Sequence, residues 1–122
     1  MSEIIGIGTD VIEIDRVISY CEKNSFFNKY YTEAERKIIE KRKNRAATNF
    51  AGKEAVVKAF GTGFLNCMPG DIEILRDDFG KPYVNLLGRA KKFAEDRGIV
   101  KIHISLSDTD KIATAFVVSE GE

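Results

Sequence analysis

The spacing of hydrophobic and polar residues changes along the chain, and each change predicts an element. The apolar segment "EIIGIGTD" predicts a strand that ends at Asp10. In the next segment, "EIDRVISYCEKNSFF", apolar side chains recur every three or four residues, which is helical spacing. This apolar stripe consists of Ile14, Val17, Ile18 and Cys21. A strand followed by an amphipathic helix is therefore predicted.

Capping signals mark two further helices. Thr32 and Glu35 form a capping-box pattern in "YYTEAERKIIEKRKN", so a helix should begin near Thr32. The next helix runs through residues 46–60 and stops at Gly61, because glycine tolerates the backbone angles of a helix C-terminus.

The second half of the chain alternates between strands and one helix. "GDIEILRDDFGKPYVNLL" alternates on both sides of "DDFG", which predicts a hairpin. A helix through "GRAKKFAEDR" should end at Gly98, and "KIHISLSDTDKIATAFVVS" should form two strands around "SDTD". This order predicts an α+β fold with packed helices and a largely antiparallel sheet, rather than a doubly wound parallel one.

The helix over 46–60 carries two charges on what we expect to be its buried side. At about 100° per residue, Glu54 and Lys58 point the same way as a row of alanines. The alanines are Ala47 and Ala51, and the opposite side carries Asn49, Gly52 and Lys53. An ordinary helical ion pair facing water is one interpretation, worth only about 0.2–0.5 kcal/mol. A buried Glu54 would instead need a cation or several donors, which a metal ion or a metal–phosphate pair would supply.

The segment "GIGTD" places two glycines inside the first strand. Gly6 and Gly8 remove side chains where another backbone or a ligand approaches. Asp10 then either projects a carboxylate into a cleft or caps the following helix. A dinucleotide-binding fingerprint is not favoured, because no third glycine follows at the required spacing.

The segment "FGTGF" follows the helix over 46–60. Gly61 fits a helix C-cap, and Gly61, Thr62 and Gly63 together form a loop of small residues. We expect free N–H groups in this loop, able to hold phosphate oxygens. It is not a nucleotide-binding P-loop, because it follows a helix and its lysine precedes it.

The segment "HISLS" separates two kinds of side chain by alternation. Ile102, Ile104 and Leu106 share one face of the predicted strand, and His103, Ser105 and Ser107 share the other. We expect this strand to be central in its sheet. His103 can donate to a phosphate or exchange a proton near neutral pH, and a polar face towards solvent is the alternative. A Ser–His nucleophile has no G-x-S-x-G motif to support it.

Composition narrows the function classes. The chain has 122 residues, 43% of them hydrophobic and 31% charged, which predicts one compact domain over 1–122. No apolar run approaches the roughly 18 residues of a membrane span, and we expect no secretory leader. Cys21 and Cys67 have no metal-like spacing and are expected to be reduced thiols of a cytoplasmic protein.

Basic and acidic residues are equal in number, but they are unevenly distributed along the chain. The formal net charge is zero, so bulk attraction to nucleic acid or to membranes is not indicated. "RKIIEKRKNR", residues 36–45, nevertheless holds six basic residues and one acid. Either a solvated helix end or a local anion site fits this run.

Taken together, four segments resemble a known family. "GIGTDVIEIDRV", "FAGKEAVVKAFGTG", "GKPYV" and "IHISLSD", in this order, resemble the holo-[acyl-carrier-protein] synthases, the small bacterial 4'-phosphopantetheinyl transferases of lipid synthesis. The resemblance covers nearly the whole chain. It implies that the phosphopantetheine arm of coenzyme A is moved to a serine of apo acyl carrier protein, with release of adenosine 3',5'-bisphosphate. It also implies a requirement for Mg²⁺ and a homotrimer with active sites at subunit interfaces.

The resemblance assigns roles to individual residues. Asp10 and Glu54 would be the magnesium ligands, and Lys58 would contact the phosphates, making these three the catalytic residues. The residues that would hold coenzyme A besides Lys58 are Arg42, Arg45, Gly61, Thr62, Gly63, Lys81 and His103. The proton acceptor stays open between a metal-bound water, Glu54 and Asp10.

The resemblance also implies a docking surface for the acidic carrier protein. It would be the helix after the first strand, which offers Arg16 and Lys23, with Phe26 and Tyr30 nearby. This chain departs from the family pattern at Asn49, where members often carry arginine, and Arg42 or Arg45 would then compensate.

Two other functions fit the same residues. One is a non-catalytic module of the same fold that binds coenzyme A or a nucleotide, although it would not need both carboxylates. The other is a structural oligomer in which Glu54 and Lys58 only pair with each other.

Overall fold

A computed structural model describes residues 2–65 and 67–122 of the chain. Across these residues it has five strands and five α-helices, with short 3-10 turns at Gly63–Leu65 and Pro69–Asp71. In chain order the elements are β1 (Glu3–Glu13), α1 (Ile14–Cys21), α2 (Asn24–Tyr30), α3 (Glu33–Lys41), α4 (Arg45–Phe60), β2 (Ile72–Arg76), β3 (Pro82–Leu86), α5 (Gly88–Asp96), β4 (Ile99–Asp108) and β5 (Ile112–Gly121).

The strands form two antiparallel sheets. One has the order β1-β5-β4, and the other is the β2-β3 hairpin. The α+β fold with an antiparallel sheet is therefore confirmed. The expectation that the "HISLS" strand is central was wrong, because β5 lies between β1 and β4, and β4 is an edge strand of the chain. In the part of the chain that the structure describes, no helix is both long and apolar enough to cross a membrane.

Local capping and turn signals are also confirmed. The Thr32 hydroxyl accepts from the N–H of Glu35, and the Glu35 carboxylate accepts from the N–H of Thr32. Gly61 and Gly98 take positive φ values of 82° and 72° just after α4 and α5. The helix boundaries at these residues therefore agree with the short-range signals in the sequence.

The first strand and the helix after it differ from the prediction. β1 continues past Asp10 to Glu13, and Asp10 pairs with Ala115 of β5 instead of capping a helix. The predicted single helix is broken into α1 and α2 near Lys23, whose extended backbone precedes α2. Asp10 thus lies inside a strand, where pairing with β5 fixes its direction.

Strand β1 packs directly on the backbone of α4. A Cβ atom added to Gly6 would collide with the carbonyl oxygen of Ala59, and one added to Gly8 with that of Ala55. This is the close backbone approach that the glycine pattern predicts. The contact holds the strand and the helix side by side along the segment that leads to Asp10.

The predicted orientation of α4 was wrong. Asn49, Gly52 and Lys53 are buried, whereas the side chain of Lys58 is 54% exposed. The prediction assumed one apolar face, but α4 is covered by the sheet on one side and by α3 and β2 on the other. Lys53 tolerates burial because its ammonium lies 2.7 Å from Glu35 Oε1 and also donates to two backbone carbonyls.

Candidate functional site

Asp10, Glu54 and Lys58 meet where β1 runs along the exposed edge of α4. The Lys58 ammonium lies 3.3 Å from Asp10 Oδ1 and donates to the Thr9 carbonyl at 2.9 Å. The ion pair of Lys58 is therefore with Asp10 on the neighbouring strand, and not with Glu54 one turn earlier on α4. The structure brings the three predicted catalytic residues together.

Glu54 is oriented by a tyrosine that the sequence analysis placed only near the docking surface for the carrier protein. The Tyr30 hydroxyl donates to Glu54 Oε1 at 3.2 Å. The Tyr30 ring stacks between Phe26 and Phe50, with centroid distances of 4.8 Å and 5.0 Å. A signal was present in the sequence, because Phe26 and Tyr30 are four residues apart on one helix and so share a face. The aromatic stack holds the hydroxyl at the carboxylate.

The charges around these carboxylates do not balance. Burial raises the pKa of Asp10, and the Lys58 ammonium only partly offsets this effect. Burial also raises the pKa of Glu54, and the negative charge of Asp10 adds to the rise against the opposing effects of Tyr30 and Lys58. Two carboxylates whose ionisation is opposed by burial, with one ammonium beside them, favour a further cation.

The donor set fits Mg²⁺ in particular. Magnesium is usually bound by one or two carboxylates, with waters and substrate phosphates completing the octahedron. Asp10 and Glu54 supply two such carboxylates, and no group of three or more acidic, histidine or cysteine ligands exists among the described residues. The two carboxylates therefore suit a metal ion that is shared with a phosphate ligand, and not one that is enclosed by protein side chains alone.

Two clefts lie beside this edge and share Ser107. One, of about 650 Å³, contains Asp10 and Lys58 together with Val11, Ser105 and Phe116 of the sheet. The other, of about 450 Å³, is lined by Arg42 and Arg45 before and at the start of α4, as expected for an anion site. Lys43 of the same basic run also lines it, as does Arg76, which sequence reasoning missed.

The glycine loop does not offer the donors we expected. The N–H of Gly61 donates to the carbonyls of Val57 and Lys58, and the N–H of Thr62 donates to Val57. These bonds close the last turn of α4, so the prediction of free N–H groups was wrong for both residues. Neither they nor Gly63 line the two clefts.

His103 and Lys81 lie away from the carboxylates. His103 Nε2 is 2.8 Å from Glu120 Oε1 on the adjacent strand, and its side chain is 47% exposed on the outer face of β4. Lys81 is exposed between Gly80 and Pro82, which line the basic cleft, but it does not line the cleft itself. Their predicted contacts with coenzyme A stay predictions.

Known proteins match this chain over most of its length. The family model for the 4'-phosphopantetheinyl transferase superfamily matches residues 6–117. A holo-[acyl-carrier-protein] synthase of Lachnoclostridium phytofermentans is 50% identical over 96% of this chain and 96% of its own. A solved holo-ACP-synthase from Plasmodium yoelii is 37% identical with a TM-score of 0.87, covering 100% of this chain and 98% of that one. A synthase from Bacillus anthracis, solved in complex with CoA, is 32% identical with a TM-score of 0.80 over 98% of each chain.

Proposed function

Because this chain belongs to the 4'-phosphopantetheinyl transferase superfamily, within its holo-[acyl-carrier-protein] synthase family, we propose that it loads apo acyl carrier protein in the cytoplasm. Coenzyme A is the donor, a serine of the carrier is the acceptor, and adenosine 3',5'-bisphosphate is released in a Mg²⁺-dependent reaction. The observation that carries the proposal is the meeting of Asp10, Glu54 and Lys58 at the edge of a cleft next to a basic one.

Asp10 and Glu54 are the residues that would hold Mg²⁺ together with the donor's pyrophosphate. When bound, Mg²⁺ neutralises charge on the phosphate oxygens and orients them. Tyr30 keeps Glu54 directed towards this place, and β1 does the same for Asp10. The raised pKa values of the two carboxyls mark how unfavourable their charges are without such a partner.

Lys58 is placed to bind a phosphate oxygen. An ammonium has three N–H donors, and within the described part of the chain two of them reach Thr9 and Asp10. Its half-exposed position on the cleft leaves the third donor accessible to a ligand. Lys58 then stabilises the negative charge on the departing phosphate.

The transfer itself exchanges one phosphorus–oxygen bond for another. The serine Oγ bonds to the phosphorus that carries the pantetheine arm, and the bond from this phosphorus to the bridging pyrophosphate oxygen breaks. Adenosine 3',5'-bisphosphate leaves with that oxygen and the electron pair. We propose that the serine proton passes to a base at this edge, either Glu54 acting through a water molecule or Asp10, because both carboxylates lie beside the cleft.

A homotrimer with active sites between subunits is part of the proposal. The sheet face turned away from α4 exposes apolar side chains, including Ile7 (61%), Val11 (63%) and Phe116 (48%). Exposed apolar surface of this kind favours association. Val11 and Phe116 also line the cleft that contains Asp10 and Lys58, so a second copy on this face would help to close the site. Sedimentation of a monomer at micromolar concentration would contradict this assembly.

The carrier protein is proposed to dock on α1 and α2. Arg16 and Lys23 are exposed there, and Tyr30 of α2 contacts Glu54, so a carrier on these helices lies next to the site. Attraction between basic residues and an acidic carrier would speed association at low salt. An association rate that does not change with added salt would contradict this docking surface.

The direct test is to incubate the protein with coenzyme A, Mg²⁺ and an apo carrier protein, and to weigh the carrier by mass spectrometry. A gain of one phosphopantetheine, lost without Mg²⁺ and in Asp10→Asn, is expected. Binding of coenzyme A without any gain in mass would instead identify a non-catalytic binding module. An absence of both would leave only a structural oligomer.

A further inference from the structure

Arg16, on the proposed docking surface, is held in place by a neighbouring tyrosine. Arg16 Nε donates to the Tyr20 hydroxyl at 2.7 Å, and Arg16 Cζ lies 6.0 Å from the centroid of the Tyr20 ring. The two residues are four positions apart on α1, so they share a face of the helix. Tyr20 therefore fixes the direction of a long side chain that is otherwise exposed to solvent.

The bond to Tyr20 occupies only one edge of the guanidinium. A guanidinium has five N–H donors, and Tyr20 uses none of the four on the two Nη atoms of Arg16. The phenol oxygen is a neutral acceptor, so it leaves the positive charge intact. Among the described residues, no carboxylate oxygen lies within 4.0 Å of the guanidinium nitrogens. The free edge of Arg16 is therefore suited to bind a carboxylate of a partner protein through two parallel N–H bonds.

The ring of Tyr20 belongs to a cluster of four aromatic rings from α1, α2 and α4. Its centroid lies 5.5 Å from that of Phe26 and 6.1 Å from that of Phe50. The same two phenylalanines stack on Tyr30, at 4.8 Å and 5.0 Å. Each phenylalanine thus contacts both tyrosines. Aromatic pairs at such distances stabilise one another beyond the effect of the area that they bury.

The four-ring cluster ends at the reaction centre. The Tyr30 hydroxyl donates to Glu54 Oε1, and the direction of this hydroxyl depends on how Phe26 and Phe50 hold its ring. Tyr20 supports these two phenylalanines from the side of α1. One tyrosine therefore contacts an arginine of the docking surface through its hydroxyl and the stack around Tyr30 through its ring.

We propose that Tyr20 is a positioning residue with two separable tasks. Its hydroxyl directs Arg16 towards an acidic group of the carrier protein, and its ring helps to keep the Tyr30 hydroxyl on Glu54. The inference rests on the proposed function, because it takes the carrier as the partner of α1 and α2 and takes Glu54 as a residue of the reaction centre. A single side chain then serves both the binding of the carrier and the transfer.

Tyr20→Phe tests the first task, because it removes the hydroxyl and leaves the ring. Arg16 then becomes mobile in the free protein, and binding of the carrier must order it again. We expect the affinity for a labelled apo carrier protein, measured by fluorescence anisotropy, to fall roughly two- to tenfold. The kcat for transfer and the KM for coenzyme A should stay as in the wild type. An unchanged affinity for the carrier would overturn the inference.

Tyr20→Leu tests the second task, because it also removes the ring. We expect a lower kcat than in Tyr20→Phe, with the KM for coenzyme A unchanged. The sharper measurement is made in a Tyr30→Phe background, where Tyr20→Leu should lower kcat no further, because the hydroxyl that the ring positions is already absent. A general loss of structure would instead lower kcat by the same factor in both backgrounds, and that result would overturn the inference.

Tyr83 offers matched controls for both changes. It is 42% exposed on β3 and lines neither of the two clefts beside the reaction centre. Tyr83→Phe and Tyr83→Leu should therefore change neither the affinity for the carrier nor kcat. If Tyr20→Leu does not fold, Tyr20→Phe still decides the inference through the affinity for the carrier.

The same measurements separate the inference from the proposed function. A wild type that performs the transfer, together with a Tyr20→Phe variant that binds the carrier equally well, would overturn the inference and leave the proposed function in place. A wild type that binds the carrier without transfer would contradict the proposed function. A weaker affinity of Tyr20→Phe would then still support the role of the Tyr20 hydroxyl.

Discussion

Lys53 and Glu54 are adjacent in α4, yet they belong to opposite kinds of charge cluster. Lys53 joins Glu35 in a pair with no solvent exposure, in which every donor of the ammonium has an oxygen partner. Glu54 joins Asp10 and Lys58 at an edge where the charges are partly exposed and the carboxylates outnumber the ammonium.

The two clusters differ in whether their charges are balanced within the protein. The buried pair is complete in itself and connects α3, α4 and the start of β2. The edge cluster has two carboxylates whose ionisation is opposed by burial, and it opens onto a cleft. A balanced cluster supports the fold, whereas an unbalanced and accessible one is suited to bind a ligand.

Removing one partner of the buried pair should have the largest effect on stability. Lys53→Met leaves Glu35 charged in the interior, so we expect a loss of about 3–5 kcal/mol in the free energy of unfolding. The matched control is Lys58→Met at the edge, for which we expect a loss of about 0–1 kcal/mol. Urea denaturation measures both, and equal losses would abolish the distinction between the clusters.

Neutralising a carboxylate of the edge cluster should affect activity instead of folding. Glu54→Gln keeps the shape of the side chain but removes both its charge and its basicity. We expect Mg²⁺-dependent transfer to fall by at least about a hundredfold, with cooperative unfolding retained. Glu33→Gln, on the exposed side of α3, serves as the control, and full activity of Glu54→Gln would remove Glu54 from the site.

Tyr30→Phe should lower the activity of the edge cluster by less than Glu54→Gln does. The change deletes the hydroxyl that orients Glu54 and leaves the ring stacked between Phe26 and Phe50. Losing one hydrogen bond of about 1 kcal/mol predicts a several-fold lower kcat with an unchanged KM for coenzyme A. An unaltered kcat would mean that the hydroxyl does not contribute to the orientation of Glu54.

The smallest effect concerns stability and its dependence on pH. The folded state raises the pKa of Glu54, so its ionisation makes the folded protein less stable as the pH rises through this value. Glu54→Gln should therefore unfold at a higher urea concentration than the wild type at neutral pH. The advantage should shrink as the pH falls from the raised pKa towards the ordinary pKa of glutamate, and it should vanish below that ordinary value. A variant that is less stable at neutral pH would contradict the charge imbalance.

The features predicted correctly are those that neighbouring residues determine. The capping box of Thr32 and Glu35 depends on bonds within one turn, and the stop at Gly61 depends on a single φ angle. Strand alternation and the glycines of β1 likewise gave the antiparallel sheet and its close packing on α4. Family motifs added Asp10, Glu54 and Lys58, which the structure brings together.

The features that were missed depend on contacts between distant segments. Helical periodicity cannot tell which side of α4 is buried when both sides are covered, so Lys53 was assigned to the wrong environment. Arg76 was overlooked as a residue of the basic cleft, because its side chain bonds to Asn49, which is 27 residues away in the chain. The edge position of β4 likewise follows from pairing with β5 and cannot be read from its own alternation.

The contact between Gly8 and Ala55 has a consequence for how the enzyme tolerates change. Main-chain atoms, which do not vary with sequence, set the spacing between β1 and α4 at this contact. They therefore also set the distance between Asp10 on β1 and Glu54 on α4. Substitutions among the surrounding apolar residues can therefore accumulate without altering that distance. A single methyl group added at Gly8 would widen it, and under the proposed function this buried change would lower transfer without touching Asp10 or Glu54.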